Sequence, residues 1–475
     1  MNEAITICNI AKRKLTPAAT RRREVEKIAE QLRRTVEYEC EKAKMTAEVS
    51  LEGSVAKDTW IQDHVDVDVF IRVSKELTKQ QLEDSCLPIA KRALRPYPII
   101  ERYADHPYVE SYMPIPTGMI RVNIVPCYNV EMGKWQSATD RTPYHTRYVR
   151  EHLKNQQASE VRLLKAFLRG IGSYGADIKI GGFSGMLAET LILAHGTFLQ
   201  VASNFSEWTE DKVIDIENYY EKRHDKVYQI FGEPLIVIDP IDNSRNLAAA
   251  VRSEQLWNFV AASRQFLENP TRKFFAEPKV KPLTAREYRA IIKSRNSSLI
   301  FLQIDTLHAV VDVLWSQLYK TERALSNLLQ ANDFQVIRSG VWTDDMSLSL
   351  ILFELESECL PRTRRHNGPP VARKNESARF FDKHKRATST VAGPWIEGQK
   401  WIIQTRRQNI SAIQLLRSNL KTGGRQVGVA SLLANSIKKR LQLFEGNKIE
   451  PLITTNDEFA KYLRVYLSGR PIWNA

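Results

Sequence analysis

The stretch HVDVDVFIRV, residues 64–73, constrains the fold of this chain more than any other. Val65, Val67, Val69, Ile71 and Val73 fall on one side of a two-residue repeat, and Asp66, Asp68, Phe70 and Arg72 on the other. Only an extended strand sorts side chains with that period. Such a strand must bury its valine face against a core and carry two neighbouring carboxylates on the opposite face. Just upstream, TAEVSLEGS alternates and ends in a Gly-Ser turn, and VAKDTW continues as a short helical turn. A further alternating segment, MIRVNIVPCY, sets Val122 and Ile124 against Arg121 and Asn123.

The surrounding pattern predicts an α+β multidomain chain. Residues 18–45 repeat Val25, Ile28, Ala29, Leu32, Val36 and Cys40 at helical spacing, and TKQQLEDSCLPIAKRAL reads as another helix. The first domain, 1–140, thus runs helix, strand, turn, strand, helix, strand. A mainly helical domain is expected at 141–260, from SEVRLLKAFLRGIGSYG and SGMLAETLILAHGTFLQVASNF. At its end, EPLIVIDPIDNSRNLAAAV predicts a buried strand, a proline-marked turn and a helix start. In the third domain, 261–475, SSLIFLQI, SLSLILFELES and QKWIIQTRR read as strands, and LWSQLYKTERALSNLLQANDF as a helix. That order predicts an open sheet with helices on one side.

Composition narrows the class. With 475 residues, 43% of them hydrophobic, the chain is globular. No run of about 18 apolar residues occurs, so no membrane span is expected, and a cytoplasmic setting is. The cysteines Cys8, Cys40, Cys86, Cys127 and Cys359 are scattered and odd in number, against a disulfide framework or a cysteine-rich zinc site. The net charge of +14 favours a polyanionic partner, most often nucleic acid.

Asp66 and Asp68 on one strand face converge. Burying two like charges is costly unless a cation shares them, and magnesium, a hard ion that prefers oxygen, suits them. Asp-x-Asp alone also describes a solvated strand face. The Gly-Ser turn shifts the balance, because Gly53 permits close backbone approach and Ser54 with nearby amides can hold phosphate oxygens. Together the pieces describe a triphosphate-plus-magnesium site.

GS…DVDV is similar to the signature of the polymerase-beta-like nucleotidyltransferase superfamily. More closely, the chain resembles the archaeal-type (class I) CCA-adding enzymes, tRNA nucleotidyltransferases. The resemblance rests on GSVAKDTW, DVDVFI, YADHPYV, VPCY, DRTPYH, EVRLLKAFL, GFSGMLAE, VIDPIDNSRNLAA and FFDKHKR, in the expected order and past residue 380. It implies a catalytic palm, a helical central domain and a C-terminal α/β RNA-binding body and tail. It also implies roles. Ser54 and Lys57, the latter in place of the usual Arg, would meet the nucleotide phosphates. Asp66 and Asp68 would hold magnesium. His145 would sit by the triphosphate, Lys165 and Tyr174 would bind phosphate and ribose, and Arg245 would help choose C or A. His106 is a further candidate. Each has a plainer reading: a snorkelling Lys165, a loop His145, a packing Tyr174, an Arg245 paired with Asp242 on a helix.

Asn123 falls where the family carries a third carboxylate, which helps ligate the metal and accept a proton. An amide ligates magnesium weakly and is no base. Three explanations stand: an engineered trap, a natural variant in which Asp66 and Asp68 suffice, or a retired homologue that only binds RNA. The expected reaction is template-independent addition of CMP, CMP and AMP to the tRNA 3′ end from CTP and ATP, releasing pyrophosphate. The alternatives are a non-catalytic tRNA- or RNA-binding homologue and a poly(A)-polymerase-like enzyme. Residues 362–388 are the candidate RNA-binding tract, with Arg364, Arg365, Arg373, Lys374, Arg379, Lys383 and Lys385 among its cations. The plainer reading there is a solvated charged loop. Whether the chain forms a homodimer is left open.

Overall fold

The computed structural model describes residues 2–103, 106–154, 156–209, 212–221, 223–305 and 309–474. Ala104 and Asp105 of the YADHPYV segment lie outside these. The chain forms two compact units, Met1–Lys279 with Arg470–Ala475, and Val280–Gly469.

The first unit runs α1 (Asn2–Leu15), α2 (Ala19–Lys42), β1 (Ala47–Glu52), α3 (Gly53–Ala56), β2 (Asp66–Ser74), α4 (Lys79–Ala93), β3 (Ile99–Tyr103), β4 (Pro107–Ile115) and β5 (Gly118–Asn129). It continues with α5 (Thr142–His152), α6 (Gln157–Gly170), α7 (Gly185–His195), α8 (Phe198–Ser206), β6 (Val213–Ile214), α9 (His224–Ile230), β7 (Ile236–Asp239), β8 (Asp242–Asn246) and α10 (Ser253–Glu268).

The first five strands form one sheet in the order β1-β2-β5-β4-β3, with β2 and β5 parallel and the other pairs antiparallel. The period-two pattern does what it must. Val67, Val69, Ile71, Val122 and Ile124 pack beneath α2 and α4, against Val25, Leu32, Leu82 and Ile89. The opposite face is polar apart from a small cluster of Phe70, Val125 and Cys127. Strands β3 and β4 were not expected. β3 is a sheet edge with mostly exposed side chains, so no alternation marks it.

The helices of this unit enclose an aromatic core that includes Phe167, Phe198, Phe205, Phe259 and Phe266, and Ala4, Cys8 and Ala11 of α1 pack into it. The expected helix start after Asp242 is instead the strand β8. Asn246 keeps the chain extended there: its Oδ1 accepts from the Val237 and Ala248 N–H groups at 2.9 Å each, and its Nδ2 donates to the Leu235 carbonyl.

The second unit runs α11 (Ala285–Arg295), β9 (Ser298–Asp305), α12 (Val311–Ala331), β10 (Val336–Thr343), β11 (Leu348–Leu355), β12 (Thr363–Pro370), α13 (Lys374–His384), β13 (Thr390–Glu397), β14 (Lys400–Arg406), α14 (Ala412–Leu420), α15 (Ser431–Lys439), β15 (Gln442–Glu445), α16 (Glu450–Thr455) and α17 (Asp457–Ser468). Its main sheet has the order β10-β11-β9-β15. Ile300 and Leu302 face a core built with Leu318, Leu325, Leu416 and Leu433, whereas Leu299 and Phe301 face another built with Tyr288, Phe459 and Leu463. Helices therefore cover both faces, not one. The continuous apolar run of β9 is what a strand buried on both sides requires. The basic tract is no loop either: β12 and α13 belong to a small module in which β12-β14-β13 form a sheet. Among the described residues, no single helix is long and apolar enough to cross a membrane.

Candidate active site

The polar face of the first sheet carries one cross-strand row. Glu52 on β1 pairs with Asp68 on β2, Asp68 with Asn123 on β5, and Asn123 with Glu110 on β4. Asp66 stands one pleat along, opposite Arg121. Directly opposed residues share a face, so these side chains crowd together. Asn123 Nδ2 donates to Asp68 Oδ1 at 2.8 Å. Arg121 grips Asp66 with two bonds, Nε to Oδ1 at 2.7 Å and Nη2 to Oδ2 at 2.5 Å.

Burial pushes the Asp68 carboxyl up to about 6; the Asn123 hydrogen bond opposes that shift and the Asp66 charge adds to it. Gly53, the first residue of α3, has φ +70°, and a Cβ there would come within 2.1 Å of Asp68 Oδ2. Glycine is thus required twice, for its backbone and for the space it leaves. The Asn123 Oδ1 is buried without a hydrogen-bond partner. Two adjacent carboxylates, an orphaned amide oxygen and a cradle that a methyl group would fill suit a hard divalent cation. Among the described residues no three His, Cys, Asp or Glu side chains converge to hold a metal. The donor set here is two carboxylates and an amide.

Lys57 and Lys165 converge on Glu189, a residue the sequence reading missed. Glu189 is fully buried in α7 and accepts from Lys57 at 2.5 Å, the Thr59 hydroxyl at 2.5 Å and Lys165 at 2.9 Å. Burial alone would raise its carboxyl; Lys165 and Lys57 outweigh burial and hold it down at about 2. A lone acid in the apolar run GMLAETLILAH was the available signal. Lys165 is itself buried rather than snorkelling. Arg162 of α6 secures the loop beneath by donating to the Trp60 and Asp58 carbonyls. A Cβ on Gly185, at the start of α7, would lie 3.2 Å from the Tyr174 hydroxyl and 3.7 Å from Lys165 Nζ, so both groups border the start of this helix. Ser54 is half-buried in α3.

Asp239, fully buried at the end of β7, collects the next pair. His145 Nε2 lies 2.9 Å from it and Arg245 Nη1 2.9 Å, and the Ile241 N–H donates to it. Burial drives the His145 imidazole below its ordinary pKa despite Asp239. Burial also works against ionisation of Asp239, but the His145 bond, the Ile241 N–H and the Arg245 charge keep it ionised. Asp242 pairs not with Arg245 but with Arg141, at 2.9 Å. Strand β8, replacing the expected helix, removes the i, i+3 geometry. Arg245, Ser184, Ser244 and Asn246 line a cavity of about 470 Å³. Lys57 is near enough for its charge to act on Asp68, His145 and Tyr174, so all these groups share one region. His106 is buried edge-on to Tyr128 at 5.7 Å.

In the second unit Arg364, Arg365, Arg373, Lys374, Arg379, Lys383 and Lys385 are all exposed. Arg364 pairs with Asp333, Arg365 with Glu397, Arg373 with Glu376 and Lys385 with Asp382. Phe380 stacks on His366 and packs at a tilt against His384, whereas Phe381 stays exposed.

A mixed sheet bearing paired acids beside a Gly-Ser turn, backed by helices that supply buried lysines, defines a polymerase-beta-like nucleotidyltransferase. Family models agree in three stretches: the nucleotidyltransferase domain over residues 32–145, the second domain of tRNA nucleotidyltransferase over 159–276, and the C-terminal domain of CCA-adding enzyme over 295–446. The chain is 35% identical to a CCA-adding enzyme of Methanosarcina acetivorans, covering 86% of this chain and 87% of that protein. It is 33% identical to that of Methanosarcina mazei, covering 96% of each. It belongs to the CCA-adding enzyme family. Among solved structures, E. coli MS115-1 CdnC with ATP is 15% identical with a TM-score of 0.43, covering 57% of this chain and 94% of that one.

Proposed function

We propose that this enzyme adds CMP, CMP and AMP to the 3′ end of tRNA without a template, from CTP and ATP. The 3′-hydroxyl oxygen bonds to the α-phosphorus as the bond to pyrophosphate breaks. Residues 1–140 carry the catalytic site, 141–260 nucleotide contacts, and 261–475 tRNA contacts. The observation that carries this reading is the convergence of Asp66 and Asp68 over the Gly53–Ser54 turn with the Glu189-held lysines.

Ser54 and Lys57 receive the triphosphate. Glu189 occupies one donor of Lys57, and an ammonium has three, so Lys57 keeps donors for phosphate oxygens; Lys165 already donates to Glu189 and to the Thr59 carbonyl and hydroxyl, and reaches a phosphate by giving up a Thr59 bond. Tyr174 meets the ribose, and His145, neutral and bonded to Asp239, stands by the phosphates. Arg245, half-buried at the cavity and aimed by Asp239, donates to the edge of C or A. A magnesium ion held by Asp66, Asp68 and Asn123 would neutralise triphosphate charge and acidify the attacking hydroxyl. Asn123 supplies a neutral oxygen and no base, so this chain works more slowly than one with a third acid. The exposed cations of β12 and α13 grip tRNA phosphates. The buried free thiols of Cys8, Cys40, Cys86 and Cys127 support a cytoplasmic setting.

The Asn123 amide and the Arg121–Asp66 pair favour one other reading, a tRNA-binding homologue without catalysis. Incubation with tRNA lacking CCA, labelled CTP and ATP, and magnesium separates the two. Addition of three nucleotides by the wild type is the expected result. Activity only in Asn123→Asp marks a disabled enzyme, none in either marks a binding protein, and long A tails mark a poly(A)-polymerase-like activity.

A further inference from the structure

We propose that Arg121 is an internal cation that competes with the divalent ion for Asp66, and that Glu110 is the carboxylate that takes Arg121 over when the ion binds. The inference rests on the reading of Asp66 and Asp68 as ion ligands.

Three observations carry it. The Arg121 fork bonds both oxygens of Asp66, at 2.7 and 2.5 Å, so one lone pair on each oxygen already serves a cation. The third guanidinium nitrogen, Nη1, lies 3.7 Å from Glu110 Oε2. Glu110 is nearly fully buried, and its other oxygen, Oε1, is already held by Arg102 at 3.0 Å. Arg121 thus stands between two carboxylates, bonded to one and a shift of roughly 1 Å from a charge-assisted bond to the other. The ladder places Glu110 directly across from Asn123, so the two acids flank the same pair of β5 residues, Arg121 and Asn123.

Charge explains why the exchange is balanced. With an amide at 123, this face offers Asp66 and Asp68 to the ion with the Arg121 guanidinium beside them. A divalent ion arriving at Asp66 and Asp68 meets that like charge at close range, where repulsion is strongest. Transfer of Arg121 to Glu110 frees Asp66, draws the positive charge towards a buried carboxylate and gives the second oxygen of that carboxylate a close partner. Arg121 is therefore a positioning residue: it sets the occupancy of the ion site.

The test is a Mn2+ titration of the full chain, without nucleotide or tRNA, followed by electron paramagnetic resonance of the free ion. Asp68→Asn defines which binding belongs to the site. Arg121→Gln should tighten Asp68-dependent binding at least tenfold, and Arg121→Lys, which cannot fork, by less. Glu110→Gln should weaken it at least threefold in the wild-type background and leave it unchanged in the Arg121→Gln background. A general field effect of the two charges would instead give the same Glu110→Gln factor in both, which overturns the proposal. So does an Arg121→Gln affinity within twofold of wild type. If no variant binds Mn2+ in an Asp68-dependent way, the ion-site reading itself fails. Melting curves verify folding, and Glu110→Asp, which keeps the charge, replaces Glu110→Gln if that variant unfolds.

Discussion

Replacing Glu189 by Gln keeps the shape of the side chain and removes the one negative charge shared by two lysines. Its carboxyl is held at about 2 against an ordinary 4.5, so in the folded state the ionised form is favoured by about 3 kcal/mol, at roughly 1.4 kcal/mol per unit. That agrees with the ~3–5 kcal/mol expected when one partner of a buried pair is removed. The folded pKa is depressed, so this contribution is fully present above pH 4.5 and is lost as pH falls towards 2. At roughly 2–3 °C per kcal/mol for a unit of this size, Glu189→Gln should lower the melting temperature at pH 7 by roughly 5–10 °C. The assay is scanning calorimetry of the full chain from pH 8 to pH 3.5, following the transition that Glu189→Gln moves. The gap between wild type and variant should stay constant down to about pH 5 and narrow below pH 4.5. Adding Lys165→Met to Glu189→Gln should recover part of the loss, because it removes an uncompensated buried charge. A gap under 2 °C at pH 7, or one already closing between pH 7 and pH 5, refutes the reasoning.

Three further outcomes are expected. Gly53→Ala places a methyl group 2.1 Å from Asp68 Oδ2 at a positive φ, so Asp68 must swing away. CMP incorporation measured by rapid quench should fall at least ~100-fold, and a value within threefold of wild type contradicts the role of the turn. Arg245→Ala leaves Asp239 bonded to His145 but removes the donor at the cavity. Discrimination of CTP and ATP against UTP and GTP, measured as kcat/KM ratios, should drop roughly ten- to hundredfold; unchanged ratios exclude Arg245 as selector. Alanine at Arg379 and Lys383 together should weaken tRNA binding and lower the log–log salt slope by about 1 for each phosphate that is no longer neutralised. An unchanged slope assigns tRNA binding to other residues.

Much of the architecture was legible because it rests on local periodicity. The strand with Asp66 and Asp68, its valine-lined core, the flanking helices and the glycine-serine bend all follow from residues near one another in sequence. Edge strand β3 escaped because an exposed edge imposes no alternation, and β8 escaped because one side chain, Asn246, supplies the hydrogen bonds that hold the strand. The partners of the site residues were beyond local reading. Glu189 meets Lys57 across 132 positions and Asp239 meets His145 across 94, and no short-range pattern reports such encounters. By itself, then, the sequence determined where the acids stand and which backbone conformations surround them, since sterics and periodicity act within a few residues. Only the tertiary structure decided which charges those acids face, because ion pairing depends on distance in space. That is how Arg121, an ordinary strand residue by pattern, comes to occupy Asp66.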